Sequence, residues 1–335
     1  MGPQRGFYQH NYMHHGGHDY VQRTYFYGGH SHACAYRSYY WGGRPYEIYA
    51  RPYFYRPAFY GWAYTPWVAP VYYDWDWRPA PWYGYYGAYF APEPIYPTPA
   101  LWIADFILAA NLQAAYEVRQ TYATYPAQPQ DSGYDDEPQA YSGDGAAVAT
   151  DDRTVRLSPE VKRAIATEVE AQLQAEKNAS LRNADVESQA DSDDAPPPAL
   201  DPSTSVFIVS DSLTVSDLDG QECELTAGDV LSRLDDTPGE DGSVQVRVTA
   251  SKRGDCPTGS KPLVQVGDLQ EMNNRFREQL DAGLTKLAAG GKGLPAAPDT
   301  ETVAGEVPPP QPDDVADQVQ QLQVTADQTE QAVGR

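Results

Sequence analysis

Apolar residues recur at helical spacing in three places along the chain. Leu269, Met272, Phe276, Leu280, Leu284 and Leu287 follow one another at steps of three and four, which puts them on one face of a helix. Asp268 stands before them as a cap, so a helix is predicted over 269–289. Val161, Ile165, Val169 and Leu173 form a narrower stripe behind Ser158-Pro159, the cap and first-turn residues of a helix over 157–182. A third run, ALWIADFILAANLQAAYEVRQ, opens at Thr98-Pro99 in the same way and is apolar on most faces. Its interruptions at Asp105, Asn111 and Gln113 predict a buried or interfacial helix over 98–120, and the interfacial version would touch a membrane surface through residues 99–116. No run of about 18 apolar residues occurs, so no spanning helix is expected.

The strand pattern is weaker and later. Val244-Gln245-Val246-Arg247-Val248 alternates with period two, and Val206 to Val209 and Leu263 to Val266 are short apolar runs. Asp219-Gly220, Ala227-Gly228-Asp229 and Gly239 to Gly242 supply turns, so a small all-β unit is predicted over 203–268. In residues 1–97, two Gly-Gly pairs flanked by aromatics, Gly28-Gly29 and Gly42-Gly43, predict two short hairpins. Arg-Pro steps at Arg44, Arg51, Arg56 and Arg78 keep the surrounding low-complexity chain extended. The stretches 121–156, 183–202 and 290–335 are poor in core-forming residues and read as two linkers and a disordered tail.

Composition divides the chain at the same place as the pattern. Of the 41 aromatic residues, 37 precede residue 127, in a segment of net charge +1; the remaining 209 residues carry a net −24. One well-mixed domain is therefore not expected, and the flexible linker after residue 120 would leave the halves loosely joined. No nucleic-acid partner is expected, because the chain as a whole, at −23, repels phosphate.

Three cysteines permit at most one internal bridge. Pairing Cys223 with Cys256 would close a loop of about 33 residues and contribute about 3–4 kcal/mol, and would imply an oxidising compartment; two reduced thiols in a cytosolic protein are the alternative. All six histidines lie between His10 and His32. His14 and His18 at helical spacing, with His30, His32 and Cys34 on one side of a strand, could hold Zn²⁺ or Cu²⁺ weakly, though histidine also accumulates in Gly/Tyr-rich segments with no metal role. Aromatic platforms for a ligand or a second chain are Tyr40, Trp41, Tyr53, Tyr55, Trp62 and Trp67. No nucleophile elbow, phosphate loop, zinc-protease motif or dinucleotide fingerprint occurs, so no cofactor and no catalytic residue are expected.

Leu225-Thr226-Ala227-Gly228-Asp229-Val230-Leu231, set between short strands, resembles the Gly-Asp turn of a bacterial SH3-like barrel. Together with the Tyr/Trp/Gly-rich N-terminal region and the two helices opened by Thr98-Pro99 and Ser158-Pro159, the chain resembles uncharacterised bacterial envelope or secreted proteins over most of residues 36–290. That resemblance implies no functional residues. It implies an envelope or secreted location with a signal peptide missing from this chain; a cytoplasmic location is the alternative. The expected fold class is a mainly disordered, low-complexity chain with isolated helices and one small all-β, SH3-like barrel followed by a helix. The expected function is non-enzymatic: a structural or interaction protein whose aromatic region self-associates or adheres. Binding of cell-wall glycan or peptide through the β unit is the first alternative, and weak metal binding by the His-rich N-terminus the second.

Overall fold

Paired glycines fold the first fifty residues into a meander. In the computed structural model, which describes residues 9–27, 30–124, 156–184 and 195–308, β1 (Gln9–His15) turns through Gly16-Gly17 into β2 (His18–Tyr27). Both glycines have positive φ, 59° and 84°, as a two-residue hairpin turn with the right twist requires. Tyr27 pairs with His30, the first residue of β3 (His30–Trp41); Gly28-Gly29, one of the two predicted turns, lies outside the described residues. Gly42-Gly43 then turns β3 into β4 (Arg44–Ala50), giving a four-stranded antiparallel sheet in the order β1-β2-β3-β4.

The Arg-Pro and Ala-Pro steps that follow both end extended backbone and start helices. β5 (Tyr53–Tyr55) precedes α1 (Pro57–Tyr64), which opens at Arg56-Pro57, and α2 (Pro81–Tyr86) opens at Ala80-Pro81. Each helix has proline in its first turn behind an extended residue, Arg56 or Ala80. A bridge from Val71 to Tyr96 closes the chain around α2. Trp75 stacks against Trp77 and Trp102, with ring centroids 5.2 Å away in both pairs.

Two of the three predicted helices are capped as their sequence implies. In α3 (Pro99–Thr124) the Leu101 amide donates to the Thr98 hydroxyl at 3.2 Å, and in α4 (Pro159–Ala184) the Val161 amide donates to the Ser158 hydroxyl at 3.3 Å. A 3-10 turn at Pro198–Leu200 then leads into β6 (Val206–Ile208), β7 (Leu213–Ser216), β8 (Glu222–Leu225), β9 (Val230–Arg233), β10 (Ser243–Ala250) and β11 (Leu263–Gln265). These make one antiparallel sheet in the order β6-β9-β10-β11-β7-β8. α5 (Val266–Ala289) continues directly from β11, so Asp268 sits in its first turn and Gln265 is the cap residue. All six of its predicted apolar positions are buried. β12 (Thr302–Ala304) finally pairs with β5 as a two-stranded sheet.

The expectation of a mainly disordered chain with one small barrel is overturned by these five helices and three sheets. Tyrosine and tryptophan each bury a large area, so a Gly/Pro-rich segment has enough apolar surface to fold once a partner surface exists. That surface is supplied by the acidic half. Trp102, Ile103, Ile107, Leu108 and Leu112 of α3 are fully buried in one core with Ile165 and Val169 of α4, Leu280, Leu284 and Leu287 of α5, and Phe59, Phe90 and Tyr96. The loose joint between the halves and the membrane-surface role of residues 99–116 fall for this reason, since the apolar faces of α3 are spent inside the protein. Among the described residues no helix is long and apolar enough to cross a membrane. The segment read as linker over 183–202 includes Ala199 and Leu200, both buried under the six-stranded sheet, and the segment read as tail holds β12 and buried Val307. Residues 125–155, 185–194 and 309–335 of the predicted linkers and tail lie outside the described residues.

Candidate functional site

The predicted disulfide is formed: Cys223 and Cys256 are bonded, 5.0 Å apart at Cα, and link β8 to the loop after β10. Of the predicted metal ligands, His14 and His18 do not converge, and the side chains of His30 and His32 lie outside the described residues. His15 is the register partner of His18, so His14 and His18 point to opposite faces of the sheet, and His14 is held by Asp19 at 2.8 Å. Cys34 lies four residues along β3 from Ser38, the partner of Asp19, or about 13 Å along the strand; His32 and His30 are further still. Among the described residues no group of three or more His, Cys, Asp or Glu side chains could hold a metal ion.

The six predicted aromatic platforms also separate. Tyr40 stands free at 71% exposure, while Trp41 leans edge-on against buried Tyr46. Tyr53 is at the surface of β5 and Tyr55 is buried beside it, stacked on Phe59 at 4.3 Å. Tyr53 and Tyr55 pack edge to face at 5.9 Å, and Trp62 and Trp67 come together in an apolar cavity of about 530 Å³ with Val68, Pro70 and Tyr72. Trp67 itself is buried, so it serves as wall rather than platform.

A more chemically furnished site forms where the two halves of the chain meet. Here a groove of about 590 Å³ runs between α2 and α3 on one side and the six-stranded sheet on the other. Tyr85 of α2 is half exposed, and its ring lies 5.0 Å from the Arg119 guanidinium of α3. Opposite stand Ser210, Asp211 and Ser212 from the β6–β7 turn, Glu224 of β8, and Lys252 with Asp255 from the loop after β10. The disulfide is part of this wall, since Glu224 follows Cys223 and Asp255 precedes Cys256 in the chain. The Cys256 amide donates to the Glu224 carbonyl at 2.8 Å, which fixes the two acidic segments side by side.

The base of the groove is an ion-paired cluster. Lys252 Nζ donates to Asp229 Oδ1 at 2.5 Å, to Asp255 Oδ2 at 3.2 Å and to the Thr226 carbonyl at 3.3 Å, and lies 5.2 Å from the centre of the Tyr89 ring. Burial pushes the Asp229 carboxyl up to about 6, with the neighbouring Lys252 opposing. Tyr89 is buried and donates its hydroxyl to the Gly228 carbonyl at 2.8 Å. Burial raises its phenol well above the ordinary range, and Asp229 and Asp255 add to that; it is a hydrogen-bond donor and not a base. Gly228 itself has φ +96°, and a Cβ there would meet the side chain of Leu112 on α3, so the turn is fitted against the helix. Burial also lifts Tyr86 to about 12.

Chemically the groove offers one half-exposed aromatic ring, charged groups of both signs, and two serine hydroxyls. Thr226 donates its hydroxyl to Asp255 at 2.6 Å, and that acid is bound in turn by Lys252, so the hydroxyl carries no free base. Comparison with protein families, with curated proteins and with solved structures finds no match. Sequence reasoning placed Gly228-Asp229 in a turn and paired the cysteines, but it missed Tyr85, Arg119 and Lys252. The signal that could have found Tyr85 is the doublet Tyr85-Tyr86 followed by Tyr89, aromatic at helical spacing just ahead of the apolar helix; no local pattern marks Arg119 or Lys252.

Proposed function

We propose that the protein is a non-enzymatic binding protein of the cell envelope or of secretion, which takes a cell-wall polysaccharide in the groove between α2, α3 and the six-stranded sheet. The single observation that carries this reading is the pairing of the half-exposed Tyr85 face with a rim of hydroxyls, carboxylates and cations. A sugar ring presents C–H faces to an aromatic plane and hydroxyls to polar side chains, and its neutrality suits a groove of mixed charge. The volume lies within the range usual for ligand clefts, which favour the junction of two structural units. The Cys223–Cys256 bond supports an oxidising compartment.

Generic adhesion by the aromatic region is less well supported, because most of its rings are used inside the protein. Trp75, Trp82, Trp102, Tyr60, Phe90 and Tyr96 are all buried. The test is retention of the full-length, disulfide-bonded protein on insoluble peptidoglycan, with chitotetraose as soluble competitor. Tyr85→Ala and Glu224→Gln should each release it about tenfold more readily, without change in thermal melting. Absence of retention, or retention unaltered in both variants, would overturn the reading.

A further inference from the structure

A third cavity, of about 490 Å³, lies along the seam of α3 and α5 and shares no residue with the groove. Ala109 and Ala110 of α3 and Ala282 of α5 floor it, and half-buried Trp77 and Phe106 wall one end. Trp77 is held flat by its stack on Trp75, with planes 26° apart. Lys286, one helical turn beyond Ala282, enters this end with its ammonium 5.9 Å from the centre of the Phe106 ring. It makes no hydrogen bond or ion pair among the described residues. The acid closest to it in effect, Asp76, is bound by Lys292. Burial, with Lys292 as a second cause, pulls the Lys286 ammonium below its ordinary range, as expected of a partly desolvated cation without a counter-charge.

We propose that this cavity is a second binding site, for a flat aromatic carboxylate whose ring lies over the alanine floor between Trp77 and Phe106 and whose carboxylate meets Lys286. The charge of the site selects the ligand. A cation is repelled by Lys286. A more highly charged anion finds only one cation at this end, because Arg275 is eleven residues away on α5, about 16 Å, and is bound to Glu278 at 2.8 Å. The alanines keep the floor level, and the aromatic walls favour a planar apolar body over a sugar.

The experiment is calorimetric titration of the full-length, disulfide-bonded protein with 2-naphthoate, and with 2-naphthamide as the uncharged isostere. Saturable one-to-one binding of naphthoate is expected. Lys286→Met should weaken naphthoate about tenfold or more and naphthamide markedly less, since only the acid loses an ion pair with the ammonium. Ala282→Phe, at a surface position of α5, should abolish both by filling the floor, while leaving thermal melting and retention on peptidoglycan intact. Failure of naphthoate to saturate the wild-type protein would overturn the proposal. So would a naphthoate-to-naphthamide ratio that Lys286→Met leaves unchanged, or binding that survives Ala282→Phe.

Discussion

The Lys162 ammonium of α4 lies 2.9 Å from the Asp105 carboxylate of α3, and both side chains are buried. Asp105 belongs to the aromatic half of the chain and Lys162 to the acidic half, so the pair joins the two across the undescribed segment between their helices. Asp105 also accepts the Tyr96 hydroxyl at 2.7 Å, and Tyr96 accepts the Trp75 indole N–H at 2.9 Å. Lys162 donates in addition to the Ala91 carbonyl and faces Glu93 at 3.3 Å. A charge that interrupts an apolar helix in the sequence is thus the anchor of the aromatic loop in the fold.

Removing one partner of that pair leaves the other charged and desolvated. Lys162→Met should therefore cost about 3–5 kcal/mol, measured by urea denaturation. The double variant Lys162→Met with Asp105→Leu should recover part of the loss, because no uncompensated charge remains. A double variant as unstable as the sum of the two single ones would show that the carboxylate acts mainly on Tyr96 and not on Lys162.

Arg51 makes a second junction of the same kind. Buried between β4 and β5, it meets Glu176 of α4 at 3.1 Å, Asp281 of α5, and the Tyr60 hydroxyl at 3.0 Å. One planar guanidinium thus serves three elements, a geometry that an ammonium cannot reproduce. Arg51→Lys should lower stability by about 2 kcal/mol or more, the size expected when a charge-assisted hydrogen bond in a buried network is lost. Thermal melting checks this; a shift under about 2 °C would mean that lysine satisfies both acids.

The disulfide was legible in the sequence because three cysteines permit one internal bridge and two of them lie in the β unit. The helices were legible for another reason, that their signals are local: the stripe of α5 and the Thr98 and Ser158 caps each state their structure within a short window. The first half was misread for the opposite reason. Tyr89 and Phe90 are marked as core by partners far away in sequence: the Leu157 amide donates to the Tyr89 carbonyl, the Tyr89 hydroxyl reaches the Gly228 turn, and Phe90 shares its core with Ile165 of α4. Likewise Gly16-Gly17 is flanked by histidine and not by β-branched residues, so its hairpin was overlooked although the turn chemistry is plain. The groove needed both errors corrected at once, since Tyr85 and Lys252 meet only when the two halves pack.

The Cys223–Cys256 bond should matter for binding as well as for stability. It closes a loop of 33 residues, for which chain entropy predicts about 3–4 kcal/mol. Because Glu224 and Asp255 adjoin the two cysteines, Cys223→Ser with Cys256→Ser should also weaken retention on peptidoglycan at temperatures where the protein is still folded. Far-UV circular dichroism and the retention assay, run side by side, separate the two effects. Unaltered retention in the folded double variant would place the disulfide outside the binding site.

Asp229 predicts how stability responds to pH. Its carboxyl sits at about 6 in the folded protein against an ordinary value of 3.8, because burial disfavours the charged form more than Lys252 favours it. Between these two values the folded protein holds a proton that the unfolded chain has released. The stability contribution of this group is therefore complete below about pH 4 and is lost as pH rises toward 6, with a slope of at most about 1.4 kcal/mol per pH unit. Burial raises Asp105 and Glu168 in the same direction, so the wild-type slope is a sum and the difference between variants isolates Asp229. Urea denaturation of wild type and Asp229→Asn at intervals from pH 4 to 7 is the measurement. The variant should show the shallower decline; parallel curves would mean that Lys252 keeps Asp229 ionised across the whole range.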